Sequence, residues 1–356
     1  MVAPRQHRAV ARRDRAEDLR QATGGQVRVA VIGAGAWGTA LASLLSENEH
    51  DVMLWAYEPD VVETINTAAE NRRFLAGVPL HPNLRASSLE EQVLEGAELA
   101  LFVAPSHVLR QVAAGCTRHT PTGIPLVVAT KGIDRERLSL MTDVVDEEIG
   151  GHPIVALSGP SFAMEVAQHL PTAIVAASAN LEAALLTQRA LSTSAFRVYT
   201  QSDVIGVELG GALKNVMAVA TGIADGLQLG YNARAALITR GLAEMTRLGV
   251  KLGADPQTFA GLAGIGDLVL TCTGSLSRNR SVGLEIGRGA TLNEVLQGRE
   301  TVAEGVTTTE TAKRLAERHD VEMPIVNAVH KVLFERQPAR WALVELMTRD
   351  LKGERD

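Results

Sequence analysis

The fold is decided near the start of the chain by Val27-Arg28-Val29-Ala30-Val31-Ile32-Gly33-Ala34-Gly35-Ala36-Trp37-Gly38. The first half is a short apolar run rich in β-branched residues, which predicts a buried strand. The second half is a G-x-G-x-x-G turn, and a helical pattern follows it. In such a turn Gly33 permits the tight bend, Gly35 lets the backbone approach a pyrophosphate, and Gly38 lets the helix pack closely. The context predicts a dinucleotide site, with a purely structural glycine turn as the alternative.

Five further apolar runs along the chain predict buried strands. They lie at residues 52–55, 99–104, 126–130, 154–158 and 173–177. Near-continuous apolar strands, separated by longer polar or helical segments, are typical of a mostly parallel sheet covered on both faces. Near Asp203 the pattern changes, and long segments rich in Ala, Leu and Gly at 204–224 and 234–248 predict buried helices.

These patterns predict an α/β protein of two domains. A Rossmann-type doubly wound sheet is expected over residues 27–202, and an all-helical domain over residues 203–356. Residues 1–26 contain six arginines and no apolar central region, which does not fit a secretory signal. Three acidic residues in the same segment argue against a transit peptide. We expect a flexible or helical extension there.

The composition argues against several classes of partner. The formal net charge of the 356 residues is −6, so the whole molecule does not attract nucleic acid or an anionic membrane. We expect no stretch to reach the apolar length of a transmembrane helix. The two cysteines, Cys116 and Cys272, make no disulfide framework, and the His, Cys and acidic residues show no metal-ligand spacing. A cytoplasmic protein without a bound metal is expected.

The cofactor preference depends on the end of the second predicted strand, in Ala56-Tyr57-Glu58-Pro59. A carboxylate at this position of a dinucleotide-binding sheet usually binds the adenine ribose, and Glu58 is placed to do so. A solvated loop carboxylate before a proline is the alternative. Because no arginine stands directly beside Glu58, the pattern favours NAD over NADP. Arg72-Arg73 lies on a segment that could fold over the ribose, which weakens this preference.

Lys214 stands in apolar surroundings. Over residues 204–224 it and Glu208 are the only charged residues. On a helix its neighbours three and four residues away are two glycines, a methionine and an alanine, and none can pair with an ammonium. A buried lysine is either paired with an anion or shifted in pKa, and either condition suits a proton donor to a carbonyl oxygen. The alternative is a lysine whose apolar stem lets the ammonium reach solvent.

Asp267 is the only charge over residues 259–276. A lone carboxylate among glycines and aliphatic residues should have a cationic or hydrogen-bonding partner. Lys214 is one candidate, and capping of a helix that begins after Asp267 is the equal alternative. The polar run Ser277-Arg278-Asn279-Arg280 follows directly. Guanidinium, amide and hydroxyl groups at a helix start predict a phosphate site, with a solvated helix start as the alternative.

Three predicted strands end in small polar loops. These loops are Ala129-Thr130-Lys131-Gly132, Ser158-Gly159-Pro160-Ser161-Phe162-Ala163 and Ala104-Pro105-Ser106. Doubly wound sheets bind their ligands at the carboxyl edge of the strands. The three loops, with Lys131 in the first, therefore indicate one crevice at that edge.

Taken in order, these runs resemble the bacterial glycerol-3-phosphate dehydrogenases that use NAD or NADP. The resemblance extends from about Val27 to Val332 and is more specific than any single motif. Besides the runs quoted above, it rests on Thr39-Ala40-Leu41-Ala42, Gly211-Ala212-Leu213-Lys214-Asn215, Gly264-Ile265-Gly266-Asp267-Leu268 and Val302-Ala303-Glu304-Gly305. Relatives often have arginine or histidine near Tyr57, so the resemblance leaves the cofactor preference open. It says nothing about residues 1–26.

The resemblance implies a role for each matching residue. Lys214 matches the catalytic lysine, Lys131 matches a second lysine that touches substrate and cofactor, and Asp267 completes the catalytic group. The positions that hold glycerol 3-phosphate are matched by Lys131, Gly159, Ser161, Lys214, Asp267, Ser277, Arg278 and Asn279. The positions that contact the cofactor are matched by Gly33, Gly35, Ala36, Trp37, Gly38, Tyr57, Lys131, Ala163, Arg278, Val302 and Glu304.

The implied reaction is the reversible reduction of dihydroxyacetone phosphate by NADH or NADPH to sn-glycerol 3-phosphate, a precursor of phospholipids. Lys214, oriented by Asp267, would stabilise the developing oxyanion and deliver the proton. One rival is a dehydrogenase of a hydroxy acid or sugar acid, which would need an arginine clamp for a carboxylate. Another is a nucleotide-sensing regulatory protein without turnover. The expected partner is a small phosphorylated substrate, without nucleic acid or membrane insertion, and a homodimer is the default assembly.

Overall fold

The computed structural model describes residues 25–297, 303–351 and 353. Eight strands form one sheet in the order β3-β2-β1-β4-β5-β6-β7-β8. Neighbouring strands are parallel, except that β7 runs antiparallel to β6. The strands are β1 (Arg28–Ile32), β2 (Asp51–Trp55), β3 (Arg85–Ser87), β4 (Leu99–Phe102), β5 (Leu126–Val128), β6 (Ile154–Ser158), β7 (Thr172–Ala177) and β8 (Phe196–Gln201).

The apolar run that opens the fold is the central strand β1. Ile32 lies opposite Trp55 of β2 on one side and Phe102 of β4 on the other, so the order in which strands are added to the sheet reverses at β1. Alternate side chains of β1 enter two separate hydrophobic clusters, one on each face of the sheet. Burial on both faces explains why the strand is apolar throughout rather than alternating. The crevice beyond this reversal point is where doubly wound sheets bind ligands.

Helices alternate with the strands up to β8, and the described chain is helical from Val204 onward. This arrangement confirms the predicted fold class. The helices of the first part are α1 (Ala36–Glu47), α2 (Pro59–Ala68), α3 (Glu90–Leu94), α4 (Ser106–Cys116), α5 (Met141–Ile149), α6 (Ala163–Ala167) and α7 (Leu181–Leu191). Those of the second part are α8 (Val204–Gly226), α9 (Gly230–Lys251), α10 (Pro256–Phe259), a π-helical turn (Leu262–Gly266), α11 (Asp267–Thr273), α12 (Arg278–Gly287), α13 (Leu292–Leu296), α14 (Glu304–Arg318), α15 (Pro324–Phe334) and α16 (Ala339–Met347).

The edge strands β3 and β8 were not predicted. An edge strand is paired along one side only and is often half exposed, so its sequence lacks a continuous apolar run. In β8, Arg197 and Tyr199 are exposed between the buried Phe196 and Val198. Buried and exposed residues do alternate in β8, but the alternating segment is short and contains the charged Arg197. Its signal is therefore weaker than that of the apolar runs of the central strands.

Helix α8 is the core of the helical part. By length and composition alone it could cross a membrane, as could the bent pair Pro256–Thr273 and Arg278–Gly287 taken together. This finding corrects the expectation that no stretch reaches that length. In the fold, 89% of the apolar window of α8 is buried, because α9, α11, α12 and α14 pack around it. Its apolar character therefore serves burial inside the protein.

Paired glycines bring α12 close to α8. Gly222 and Gly226 of α8 face Gly283 and Gly287 of α12, and a Cβ at Gly222 would lie 2.9 Å from the Gly283 Cα. Glycines four residues apart on both helices let the two backbones approach. As a result, the first turn of α12 lies beside the middle of α8.

Candidate active site

One buried carboxylate, that of Asp267, holds two lysines. Its Oδ1 accepts a hydrogen bond from Lys214 Nζ at 2.5 Å, and its Oδ2 accepts one from Lys131 Nζ at 2.7 Å. The side chain of Asp267 is 1% exposed, against 9% for Lys214 and 18% for Lys131. Asp267 is itself the first residue of α11, with Gly266 at the N-cap position. Of the two alternatives for Asp267, the structure shows the pairing with Lys214.

Glycines of α8 admit the groups that surround Lys214. A Cβ at Gly210 would collide with the Ala263 carbonyl, which belongs to the π-helical turn that precedes Asp267. A Cβ at Gly211 would lie 2.5 Å from Ser158 Oγ and 3.5 Å from Lys131 Cγ. The room that these glycines leave is therefore used by the protein itself. It lets the Asp267 turn and the Lys131 stem reach the helix that carries Lys214.

We call Asp267 and the two lysines that it binds, Lys131 and Lys214, the lysine trio. The charges of these three residues shift the pKa values within the trio. Burial lowers the pKa of Lys214 to about 8, against the opposing effect of Asp267, and the charge of Lys131 adds to the lowering. Burial alone would raise the pKa of Asp267, but the charges of Lys131 and Lys214 outweigh it and hold that pKa below its ordinary value. With Asp267 ionised and both lysines protonated, the trio has a net charge of +1. A proton donor with a pKa near neutral pH, in a positive site, is typical of catalytic centres.

Sequence reasoning missed Thr271 as a partner of Lys214. Lys214 Nζ donates to Thr271 Oγ1 at 2.8 Å, and this hydroxyl donates in turn to the Asp267 backbone carbonyl at 2.7 Å. Thr271 lies one helical turn after Asp267 on α11. The four-residue spacing was the available signal, since residues at i and i+4 share a helix face.

The loop after β6 joins the trio through Gly159. Its carbonyl accepts a hydrogen bond from Lys131 Nζ at 3.3 Å and another from Ser161 Oγ at 3.0 Å. Gly159 has a φ of +141°, and a Cβ there would lie 2.8 Å from the Ile174 Cα. Two residues beyond Ser161, Ala163 begins α6. The predicted residues of this loop therefore lie beside Lys131.

In the run at the start of α12, Ser277 and Asn279 are buried, whereas Arg278 is exposed. Ser277 is 4% exposed and caps the helix, because its Oγ accepts from Arg280 N at 3.2 Å. Asn279 is 9% exposed, and its Nδ2 donates to Asn215 Oδ1 at 2.8 Å. Arg278 is exposed and lies within electrostatic reach of Glu304. Ser277 and Asn279 thus build the turn beside Lys214, and Arg278 projects from it.

Glu304 links the helical part to the edge of the sheet. It is the first residue of α14, and its carboxylate accepts hydrogen bonds from Ser106 N at 3.2 Å and Ser106 Oγ at 2.6 Å. The next residue, Gly305, donates its N–H to Asn279 Oδ1 at 2.9 Å. Val302 lies outside the described residues.

The glycine turn after β1 fits the pyrophosphate of a dinucleotide. Gly33 has a φ of +122°, and a Cβ there would lie 2.9 Å from Ala104 N. A Cβ at Gly38 would collide with the Gly33 carbonyl. By contrast, a Cβ at Gly35 would meet no described atom within 4 Å. Gly35 is the N-cap residue of the 12-residue helix α1, so the first amides of that helix face an open space suited to an anion.

Other predicted cofactor positions lie along the same edge. Ala36 and Trp37 begin α1, and the Trp37 ring packs 6.5 Å from that of Phe196. Tyr57, 78% exposed, and Glu58 follow β2.

The segment that carries Arg72-Arg73 lies on the glycine turn. Asn71 Nδ2 donates to the Ala34 carbonyl at 2.8 Å and to Thr39 Oγ1 at 2.8 Å. The buried amide of Asn71 therefore holds the basic pair next to the turn. This position agrees with the suggestion that the segment could fold over the ribose.

Comparison with known proteins identifies the family. Models of the N-terminus and the C-terminus of NAD-dependent glycerol-3-phosphate dehydrogenase match residues 28–184 and 203–344. The chain belongs to this dehydrogenase family. It is 54% identical over 333 residues to glycerol-3-phosphate dehydrogenase [NAD(P)+] of Geobacter metallireducens, which covers 92% of this chain and 99% of the relative. The resemblance drawn from the motifs is confirmed.

A solved structure supports the same assignment. Glycerol-3-phosphate dehydrogenase from Coxiella burnetii superposes with a TM-score of 0.88 at 42% identity, covering 91% of this chain and 99% of that chain. Members of the dehydrogenase family are oxidoreductases named for their use of NAD(P). The prediction of an NAD(P)-dependent oxidoreductase is therefore confirmed.

Proposed function

We propose that this dehydrogenase interconverts dihydroxyacetone phosphate and sn-glycerol 3-phosphate in the crevice between the sheet edge and helices α8 and α12. The observation that carries the proposal is the lysine trio. It combines a buried proton donor, Lys214, with a net positive charge that suits a phosphorylated substrate. The open glycine turn on the same edge supplies the place for NADH or NADPH.

The trio can perform the proton chemistry of the reaction. The chemistry supplied by bound NAD(P)H is transfer of a hydride to the carbonyl carbon of the ketone. As the carbonyl π electrons move onto oxygen, the Lys214 ammonium stabilises the new charge and gives its proton to that oxygen. Asp267 holds the ammonium in place, and Lys131 balances the charge of Asp267 after the proton has left, so that the trio becomes neutral rather than negative. In the reverse direction neutral Lys214 accepts the proton of the alcohol.

We assign the substrate to Lys131, Gly159, Ser161, Lys214, Asp267, Ser277, Arg278 and Asn279. Arg278 supports a phosphate contact because it projects, exposed, from the turn that lies beside Lys214. Ser277 and Asn279 already use their side chains to build that turn. Their contribution would come from the N-terminal amides of α12 and from the second amide hydrogen of Asn279.

We assign the cofactor to Gly33, Gly35, Ala36, Trp37, Gly38, Tyr57, Lys131, Ala163, Arg278, Val302 and Glu304. The open space above Gly35 supports the pyrophosphate contact. The bond between Glu304 and Ser106 supports a place for Glu304 on the cofactor side of the crevice. The preference between NAD and NADP depends on two features near the turn. Glu58 favours NAD, whereas the basic pair Arg72-Arg73 weakens this preference.

We also propose that residues 27–202 form the cofactor domain and residues 203–356 the catalytic domain. The sheet ends at Gln201 and α8 begins at Val204, which supports this boundary. A homodimer, a cytoplasmic location and a role in supplying phospholipid synthesis stay predictions. The location is supported by Cys116 and Cys272, which are both free thiols. Size-exclusion chromatography with light scattering would test the dimer.

The test is to follow the oxidation of NADH and of NADPH with dihydroxyacetone phosphate, with dihydroxyacetone, and with a panel of 2-keto acids. We expect turnover with the phosphorylated ketone and little with the other substrates. The ratio of the two rates gives the cofactor preference. Turnover with a keto acid alone would overturn the proposed substrate and leave the cofactor assignment standing. Binding of NADH without turnover of any carbonyl compound would favour a sensor.

A further inference from the structure

Glu208 is, with Lys214, one of two buried charged residues of α8, and the proposed reaction does not use it. The residue is 8% exposed, and its carboxylate accepts hydrogen bonds from the backbone N–H of Thr142, at 2.9 Å, and from the Thr142 hydroxyl. Thr142 is 5% exposed and lies in the first turn of α5. Glu208 lies in the helical part of the chain, and it therefore caps a helix of the sheet-containing part.

Thr142 and Lys131 lie at the base of one hairpin. Between them, Ile133 and Leu140 pair as an antiparallel bridge, and Asp134 N donates to the Ser139 carbonyl at 2.9 Å. The chain that leaves Lys131 thus returns beside itself before it reaches Thr142. We call residues 131–142 the Lys131 hairpin. Because the bridge joins its two arms, a displacement of one end of the base moves the other.

The apolar residues of the Lys131 hairpin up to Leu140 pack into the helical part, whereas Met141 at its base packs against the sheet. Ile133, Leu138 and Leu140 are buried in the same hydrophobic cluster as the apolar residues of α8. At the tip, the carbonyl of Arg135 accepts from Arg314, and that of Arg137 accepts from Arg318, at 2.7 and 2.8 Å. The hairpin is therefore fixed to α8 and α14.

We propose that Glu208 is a positioning residue for Lys131, acting through Thr142 and the hairpin base. Helix α8 holds both sides of that base. Glu208 binds Thr142, and Gly211, one turn later, receives the stem of Lys131 on its way to Asp267. Loss of the Thr142 contact frees one side of the base, so that Lys131 no longer sits in one place between Asp267 and the Gly159 carbonyl. The inference rests on the proposed function, in which Lys131 acts in the crevice.

The test variant is Thr142→Val, which keeps the shape of the side chain and removes the hydroxyl donor to Glu208, while the backbone N–H donor stays. We expect kcat with dihydroxyacetone phosphate to fall about tenfold, because small misplacements of catalytic groups have large effects on rate. The dissociation constant for NADH should stay within about twofold, since the glycine turn is untouched. Thr142→Ser, which retains the donor, should restore kcat.

A matched control lies in α9. Glu244 is also a buried carboxylate, 3% exposed, and it accepts hydrogen bonds from Ile325 N at 2.7 Å and Val326 N at 3.3 Å, at the start of α15. Like Glu208, Glu244 caps a helix of another segment, but the residues that it binds are not among those assigned to the crevice. Glu244→Gln should lower the melting temperature without changing kcat or KM. If Thr142→Val behaved in the same way, Glu208 would be a structural residue only and the inference would be wrong.

A double-mutant cycle with Lys131→Met separates the inference from the proposed function. We expect Lys131→Met to lower kcat, and Thr142→Val to add little in that background, because both act through one lysine. Full additivity would overturn the positioning role while the proposed function stood. If the wild-type enzyme failed to reduce dihydroxyacetone phosphate, the proposed function itself would fail, and the inference with it.

Discussion

The glycine turn at residues 33–38 and the lysine trio face the same crevice but are constructed in opposite ways. The turn recognises a ligand with backbone amides and works because side chains are missing, as the open space above Gly35 shows. The trio works through charges that are held out of water, from positions 53 and 136 residues apart. Substitution at the turn should therefore obstruct binding, whereas substitution in the trio should disturb chemistry and stability together.

Lys214→Met gives the sharpest separation of the two regions. The methionine keeps the apolar stem in the core and removes the proton donor. We expect kcat to fall by about three orders of magnitude, as for loss of a general acid that also stabilises charge. The dissociation constant for NADH, measured by fluorescence, should hardly change. Lys251→Met, at an exposed lysine of α9, is the matched control. Loss of NADH binding in Lys214→Met would mean that the two regions are not independent.

Asp267→Asn should affect both turnover and folding. The substitution leaves two lysine ammoniums facing each other without their shared carboxylate, and one of them is buried. We expect the free energy of unfolding to fall by about 3–5 kcal/mol, the usual cost of removing one partner from a buried ion pair. Turnover should fall by about 100-fold because Lys214 loses its orientation. Urea denaturation and steady-state kinetics would measure the two effects. An unchanged midpoint of unfolding would argue against a buried charged trio.

Arg278→Ala tests whether an exposed charge differs from the buried trio. Loss of a charge-assisted hydrogen bond to phosphate, worth roughly 1.5–3 kcal/mol, should raise KM for dihydroxyacetone phosphate between about 10- and 100-fold. The melting temperature should stay close to that of the wild type. Arg278→Lys should lie between the two, because lysine keeps the charge and loses the fork of donors. An unchanged KM in Arg278→Ala would remove this residue from the phosphate site.

Gly35→Val examines the turn. Because a Cβ at Gly35 meets no described atom within 4 Å, the variant should fold normally. Its side chain should fill the space where the pyrophosphate approaches, and we expect KM for NADH to rise about tenfold or more. Gly35→Ala should give a smaller rise, while kcat at saturating NADH stays near the wild-type value. Equal NADH affinity in all three proteins would mean that the pyrophosphate lies elsewhere.

The pH dependence of the reaction should report the trio and not the turn. Lys214, with its pKa lowered to about 8 by burial, is protonated below that pH and neutral above it. As the proton donor is lost, kcat/KM for ketone reduction should fall about tenfold per pH unit beyond pH 8. The reverse reaction needs the neutral amine and should rise over the same range. The substrate phosphate, with a second pKa of about 6, does not titrate in the range above pH 8. An unchanged profile in Lys214→Met would assign the titration to another group.

The same contrast explains what could be predicted from the sequence. The glycine turn is contiguous, so spacing alone predicted the strand, the bend and the helix around Gly33. The trio joins three segments, and the sequence could show only that Lys214 and Asp267 each stand alone in apolar surroundings. Whether Asp267 pairs with a lysine or caps its helix depends on tertiary packing, here on the close approach that Gly210 permits.

Other features could not be found in the sequence for related reasons. Thr142 binds Glu208 across 66 residues, and its own surroundings do not distinguish it from any threonine at a helix start. The sequence also did not show that the Ser277 hydroxyl oxygen caps α12 by accepting from Arg280 N, a bond that leaves the hydroxyl hydrogen for a ligand. The apolar stretch of α8 that could cross a membrane is interrupted in the sequence by Glu208 and Lys214, both of which are buried in the folded protein.

The burial of α8 has a consequence for how the protein is made. The helix is complete at Gly226, yet α12 and α14, which cover it, end only at Gly287 and Arg318. At ordinary rates of synthesis, roughly 5–20 residues per second, α8 waits on the order of ten seconds for these neighbours. During that time the nascent chain exposes a helix apolar enough for a lipid bilayer. We therefore expect the newly synthesised chain to need chaperones until its last helices emerge, and chains cut short before α12 to aggregate or associate with membranes.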